Sequence, residues 1–329
     1  VLDPTFHVHP GTTKVVSIIY DAVMVDPPDT LHHYTTAAGL LGIVQQVRLG
    51  ALSEKSSMEE VPRTRSIALW ATDARFLNDS AELRYAASAL ADRIRTRVPR
   101  LDAAAAKGKN ALADKLCDGE FTGDGYEDGL PHTAYVTSFC TEGDLLSQWR
   151  GYGAYGGGYS IEFRTAALID LNIPWGRAGD DAAGYVSKSS LHKVVYGLDD
   201  DLLEETVESI FSPSAISTTM TTAVKALAQF KNPAFAEEDE WRLIFGSGTF
   251  YMPCLYRTTA TGAVVPYIQL HRFHWDQPLD PSAVPSAIKS ITIGPGQDQA
   301  IRRESVLQLL RQRGFTDVTV LCSETPYRG

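Results

Sequence analysis

Cysteine is sparse in this chain of 329 residues: Cys117, Cys140, Cys254 and Cys322 lie far apart, and no Cys-x-x-Cys occurs. That spacing excludes a dense disulfide framework, gives no support to a thiolate zinc site and fits a reducing compartment. The close histidine pairs, His7-x-His9, His32-His33 and His271-x-x-His274, have no further ligands beside them, so no metal is expected. Long apolar runs are lacking too, none approaching the ~20 residues that span a bilayer. The opening Val1-Leu2-Asp3-Pro4 has no charged-then-apolar leader pattern. A cytoplasmic protein with no membrane partner is the expectation. Basic charge is in deficit, with 30 Lys and Arg against 40 Asp and Glu for a net charge of −10. A broad grip on nucleic-acid phosphates is therefore disfavoured, and any polynucleotide partner would need a focused site. Internal repeats, low-complexity tracts and a clear linker are also missing. What is present is an ordinary globular composition, 44% hydrophobic and 21% charged. It is enough to bury a large core, and a single domain over 1–329 is expected.

Periodicity places strands in groups with helices between the groups. Ile18 to Val25 reads as a short strand, and Leu31 to Thr36 as another that feeds a helix with apolar positions Leu40, Leu41, Ile43, Val44 and Val47, closed by Gly50. Ile67 to Thr72 is strand-like, and Asn78-Asp79-Ser80 offers N-cap chemistry for a long helix through about Arg97, extended by the Ala- and Lys-rich 101–118. Strands are expected at Thr133–Cys140, Gly158–Phe163 and Lys193–Tyr196, with a helical turn at Asp144–Trp149. A second helical block runs from Asp199 to Lys231, broken by Pro213. Strands return at Glu240–Phe245, Tyr251–Tyr256, Val264–Leu270 and Ile288–Ile293, before a helix Gln299–Arg313 stopped by Gly314 and a strand Val318–Cys322. This grouping predicts an α+β fold with a mixed, mainly antiparallel sheet and helical insertions at about 79–118 and 199–231.

The chemistry-bearing residues concentrate in a few places. Glu237-Glu238-Asp239-Glu240 runs straight into the apolar-rich strand Trp241–Phe245, and side chains two apart on a strand share a face. On that reading Glu238 and Glu240 point into one space; as a solvated acidic turn they would do nothing. Gly151-Tyr152-Gly153-Ala154-Tyr155-Gly156 matches G-x-G-x-x-G, but it follows a helix and precedes a strand, the reverse of a dinucleotide fold. It reads as a glycine loop whose backbone can approach a ligand. Gly294-Pro295-Gly296 lacks the Lys-Ser/Thr of a phosphate loop and reads as a turn. Ser138 ends a strand and Trp149-Arg150 precedes the glycine loop; Arg offers a planar fork suited to diphosphate, or simply packs on Trp149. His33 is a functional histidine or an ordinary half-buried one.

Taken in order, His33-Tyr34-Thr35, Thr137-Ser138-Phe139 and Glu238-x-Glu240 resemble the three-part signature of the ADP-ribosyltransferase superfamily. From about Leu31 to Arg328 the chain also resembles the bacterial domain-of-unknown-function 2971 family. The segments that carry this are Leu31–Thr35, Trp70-Ala71-Thr72, Phe76–Asp79, Ser138-Phe139, Leu146–Gly153, Glu240-Trp241-Arg242, Ile293-Gly294-Pro295 and Pro326-Tyr327-Arg328. The resemblance implies a split β-sheet core of ADP-ribosyltransferase type that cleaves the nicotinamide–ribose bond of NAD, the co-substrate, through an oxocarbenium-like state. It implies Glu240 as the principal catalytic carboxylate, Glu238 as the group that activates an acceptor, and His33 as a ligand of a ribose hydroxyl. Thr35 or Ser138 would support that site, Arg150 would meet the diphosphate, and Tyr34 stands where a small glycine is common. Phe139, Trp149 or Tyr152 would stack on nicotinamide. The acceptor would be a protein or nucleic acid, in a toxin or defence setting with a neutralising or regulatory partner protein. A glycohydrolase with water as acceptor and a catalytically silent nucleotide- or partner-binding module are the alternatives.

Overall fold

The computed structural model describes residues 26–48, 63–77, 81–123, 133–152, 157–175, 184–187, 190–212, 219–247, 254–259, 262–271 and 285–326. In chain order the first elements are β1 (Thr30–Thr35), α1 (Ala37–Ile43), β2 (Val44–Arg48), β3 (Arg63–Asp73), α2 (Glu82–Arg97), α3 (Ala103–Asp118), β4 (Ala134–Cys140), α4 (Leu146–Tyr152) and β5 (Tyr159–Arg164). Next come α5 (Thr165–Ile169), β6 (Asn172–Trp175), β7 (Gly184–Ser187), β8 (Ser190–Lys193), β9 (Val195–Tyr196), α6 (Asp200–Phe211), α7 (Thr219–Leu227) and β10 (Phe230–Lys231). The chain continues with β11 (Glu240–Gly246), β12 (Leu255–Thr258), β13 (Val264–His271), β14 (Ile288–Ile293), α8 (Gln299–Arg313) and β15 (Thr319–Cys322). The architecture is α+β and its strand pairing mainly antiparallel; β14 with β15 and β9 with β10 are parallel.

The elements gather into two compact units, the first from 1–70, 138–189 and 269–329, the second from 71–137 and 190–268. In the first unit β1 pairs antiparallel with β5 along its whole length, from Thr30↔Arg164 to Thr35↔Tyr159, and with the end of β4 at His32↔Cys140. β5 passes the sheet on to β14, and β14 to β15 across the helix α8. Leu31, Ile161, Phe163, Ile288, Ile291 and Ile293 are buried here. Gly314 ends α8 at φ 81°, its N–H reaching the carbonyls of Arg311 and Leu310. Only glycine holds that left-handed conformation without strain, so the stop is written locally.

In the second unit α2, α3, α6 and α7 share one apolar core. Leu90 and Ile94, Leu112 and Leu116, Leu203 and Val207, and Val224 and Leu227 meet Val136 of β4 and Ile244 of β11. The helical segments read as insertions are thus one packed layer on the strands. Arg97 of α2 bridges to Glu208 of α6 at 2.7 Å on its surface, where such pairs contribute little.

Some expectations are corrected. The helix after β1 stops at Ile43, and Val44–Arg48 is a strand paired with β3 from Val44↔Ile67 to Arg48↔Arg63. A partner strand was available, and β-branched Val44 and Val47 suit it better than a helix. Phe230–Lys231 pairs with Val195–Tyr196 instead of ending the second helical block. Ala81, without a side-chain cap bond, precedes α2; Asn78-Asp79-Ser80, the strand Ile18–Val25, Pro213 and His274 lie outside the described residues.

Candidate functional site

Within the second unit, charged side chains close around the start of β11. Asn232 caps a 3-10 turn over Pro233–Glu238, accepting from the Ala234 N–H at 3.0 Å. Asp239 ends the turn in the left-handed region at φ 39°, so strand alternation does not run through Glu238 and Glu240. The expected pairing of these two carboxylates on one strand face is therefore corrected, because Glu238 precedes the strand. They nevertheless converge on one cation: Lys231 Nζ donates to Glu238 Oε2 at 2.6 Å and Glu240 Oε2 at 2.8 Å, with Glu82 Oε1 of α2 at 3.4 Å.

Arg242 shares a face of β11 with Glu240, being two residues on. Its Nε donates to Glu240 Oε1 at 2.7 Å, and its Nη2 to Glu240 Oε2 at 2.9 Å and Glu82 Oε1 at 2.7 Å. Its Nη1 reaches the Ala228 carbonyl at 2.8 Å. The Glu240 N–H donates to the Tyr196 hydroxyl at 2.8 Å, and Phe235 lies 5.2 Å below Lys231. Glu240 is 3% exposed, so it is enclosed by cations and does not face open space. Burial alone would push its carboxyl up, but Arg242 and Lys231 hold it at about 2, ionised at neutral pH. Burial would lower the Lys231 ammonium, but Glu240, Glu238 and Glu82 hold it above its ordinary range. Three carboxylates face two cations, a formal excess of one negative charge. Glu238 is the outermost carboxylate, with 17% of its side chain exposed against 4% for Glu240.

Within the first unit, His33 Nδ1 lies 2.9 Å from the Ser138 carbonyl and its ring is tilted on Phe139 at 5.7 Å. The register His32↔Cys140 sets Phe139 across from His33 and Ser138 across from Tyr34. The Ser138 hydroxyl therefore points to the opposite face of the sheet from the His33 imidazole, and only its backbone joins it. This corrects the expectation that the Ser138 side chain supports the His33 site.

Tyr34 is buried at 6% exposure; its hydroxyl donates to the Glu142 carbonyl at 3.1 Å and accepts from the Leu145 N–H at 2.8 Å. Its ring stands edge-on to Trp149 at 4.7 Å. Phe139 is core, edge-on to Phe163 at 6.1 Å. Thr35 packs on α1 so closely that a Cβ on Gly39 would meet its Oγ1 at 1.9 Å. Trp149 is fully buried, while Arg150 and Tyr152 on α4 face solvent. Of the expected NAD contacts, Arg150 and Tyr152 are exposed, His33, Thr35 and Ser138 half-buried, and Tyr34 and Phe139 interior.

Sequence reasoning missed Lys231, Arg242 and Glu82. The alternation Glu240-x-Arg242 was a readable sign of an ion pair along a strand; nothing local marked Lys231 or Glu82. Among the described residues no helix is long and apolar enough to cross a membrane. No group of three or more His, Cys, Asp and Glu among them could hold a metal ion.

Residues 148–243 match the model of a family described as a protein of unknown function, DUF2971. This supports the family resemblance across α4, the second helical block and the start of β11. No curated protein and no solved structure matches the chain.

Proposed function

We propose that the chain cleaves the nicotinamide–ribose bond of NAD and passes ADP-ribose to a macromolecular acceptor, with Glu238 rather than Glu240 as the carboxylate that meets the substrate. The observation that carries this is the ion cluster: it holds an excess negative charge, keeps Glu240 ionised and leaves only Glu238 partly open to solvent. In the reaction the C1′–N bond breaks, nicotinamide leaves with its electron pair and the ribose becomes cationic. Fixed negative charge beside that cation lowers the barrier. The acceptor nucleophile then bonds to C1′ and gives its proton to Glu238. Glu240 acts through Lys231, which it holds charged and in place. Within the first unit, His33 and Thr35 keep their expected role toward ribose and Arg150 toward the diphosphate, while Ser138 meets His33 through its backbone carbonyl and its hydroxyl, on the other sheet face, is given no part. Buried Tyr34 and Phe139 support neighbouring residues instead of touching NAD.

A second reading, a catalytically silent nucleotide-binding module, is favoured by the closure of Arg242 and Lys231 over Glu240. Labelled NAD incubated with the protein, with and without cell extract, separates them. Transfer gives nicotinamide release together with label on a macromolecule. Release without label indicates water as acceptor, and binding without release indicates the silent module.

A further inference from the structure

Asp144 is a junction that the roles above do not use. It lies just before α4, and its Oδ1 accepts from Trp149 Nε1 at 2.7 Å, from Thr325 Oγ1 at 2.9 Å and from Ser323 Oγ. Its Oδ2 accepts from the Glu324 N–H at 3.0 Å, and its carbonyl from Thr325 Oγ1 at 3.0 Å. The segment after β15 is itself tied down: Ser323 N–H donates to the Ile293 carbonyl at 2.8 Å, and Thr325 N–H to Ser323 Oγ at 3.1 Å. Burial alone would raise the Asp144 carboxyl, but these hydrogen bonds keep it below its ordinary range, so it accepts as a carboxylate at neutral pH. On its inner side α4 is held by Trp149, which is fully buried between Tyr34 and Gly294. On its outer side it presents Arg150 and Tyr152. A helix of 7 residues is too short to hold itself in water, so its conformation depends on these ties.

We propose that Asp144 is the positioning residue for the outer face of α4: by clasping Trp149 to Ser323–Thr325 it holds that face, with Tyr152 on it, in place and keeps Arg150 ready for the diphosphate of NAD. The last clause rests on the function proposed above; the clasp does not. Two readouts keep them apart. Trypsin cuts a helix only when it opens locally, so cleavage after Arg150, followed by mass spectrometry, reports the clasp directly. Asp144→Ala should speed that cleavage by about tenfold or more, with cleavage after Arg97 of α2 unchanged. Thr325→Val, a milder change from the other partner, should speed it by about threefold or more. Steady-state kinetics of the same variants should show KM for NAD rising by about tenfold with kcat within about threefold, since diphosphate contacts are alike before and during reaction. Unchanged cleavage after Arg150 in both variants overturns the proposal. Faster cleavage with unchanged KM keeps the clasp and overturns the ligand role of α4. Faster cleavage in the variants, when the wild-type protein never turns over NAD, keeps the clasp and overturns the proposed function.

Discussion

Replacing Arg242 by Met tests whether the ion cluster holds the second unit together. Arg242 is 1% exposed, and its guanidinium donates to Glu240, Glu82 and the Ala228 carbonyl. Met keeps much of the stem's packing but removes every one of these donors. Glu82, Glu238 and Glu240 are then left with Lys231 alone, so the formal excess grows from one negative charge to two. Removing one partner of a buried pair strands its counter-charge, at a cost of about 3–5 kcal/mol. Urea unfolding at neutral pH, followed by intrinsic fluorescence, measures the loss. Glu240→Gln should also destabilise, because the amide N–H meets Lys231 or Arg242, donor against donor. In the double variant the two losses should fail to add by about 1–3 kcal/mol, as expected for groups in contact. A loss below about 1 kcal/mol for Arg242→Met would refute the reasoning, since a network worth so little is one that water already screens.

Acid stability should report Glu240: its folded carboxyl sits at about 2 against an ordinary 4.5, so its contribution is full above 4.5 and is lost as pH falls toward 2. Wild type should therefore lose about 3 kcal/mol more than Glu240→Gln across that window, and parallel stability curves would contradict it. Arg150→Ala should raise KM for NAD while sparing kcat, and the opposite pattern in steady-state assays would remove Arg150 from the diphosphate. Gly294→Ala should cost about 1–3 kcal/mol in thermal or urea unfolding, because its Cβ would meet the Gly158 carbonyl oxygen at 2.8 Å and the Trp149 ring at 2.9 Å.

The elements read best from sequence were those whose signals are local. β14 and α8 have the expected bounds, Ile288–Ile293 and Gln299–Arg313, because apolar periodicity and the Gly314 stop lie within the segments themselves. The strand Val44–Arg48 was read as helix because its partner, β3, is distant in sequence. The 3-10 turn before β11 was hidden for another reason. Its reversal is made by Asp239, a residue that marks a left-handed turn far less clearly than glycine does. At the candidate site, the strand positions of His33 and Ser138 were legible, but which face each side chain takes depends on pairing register, which neither segment encodes alone. Lys231 and Glu82 were invisible because their role exists only once α2, β10 and β11 have packed.

Nicotinamide release by wild type and by Glu238→Gln, measured with labelled NAD in the presence of cell extract, tests the central claim most directly. The Glu238 side chain is partly exposed and Lys231 keeps Glu240 as a partner, so the variant should unfold within about 1 kcal/mol of wild type. The account predicts steady release by wild type and a fall of about 100-fold or more in Glu238→Gln at an unchanged unfolding midpoint. Release by a folded Glu238→Gln protein at the wild-type rate, or no release by wild type at all, would contradict it.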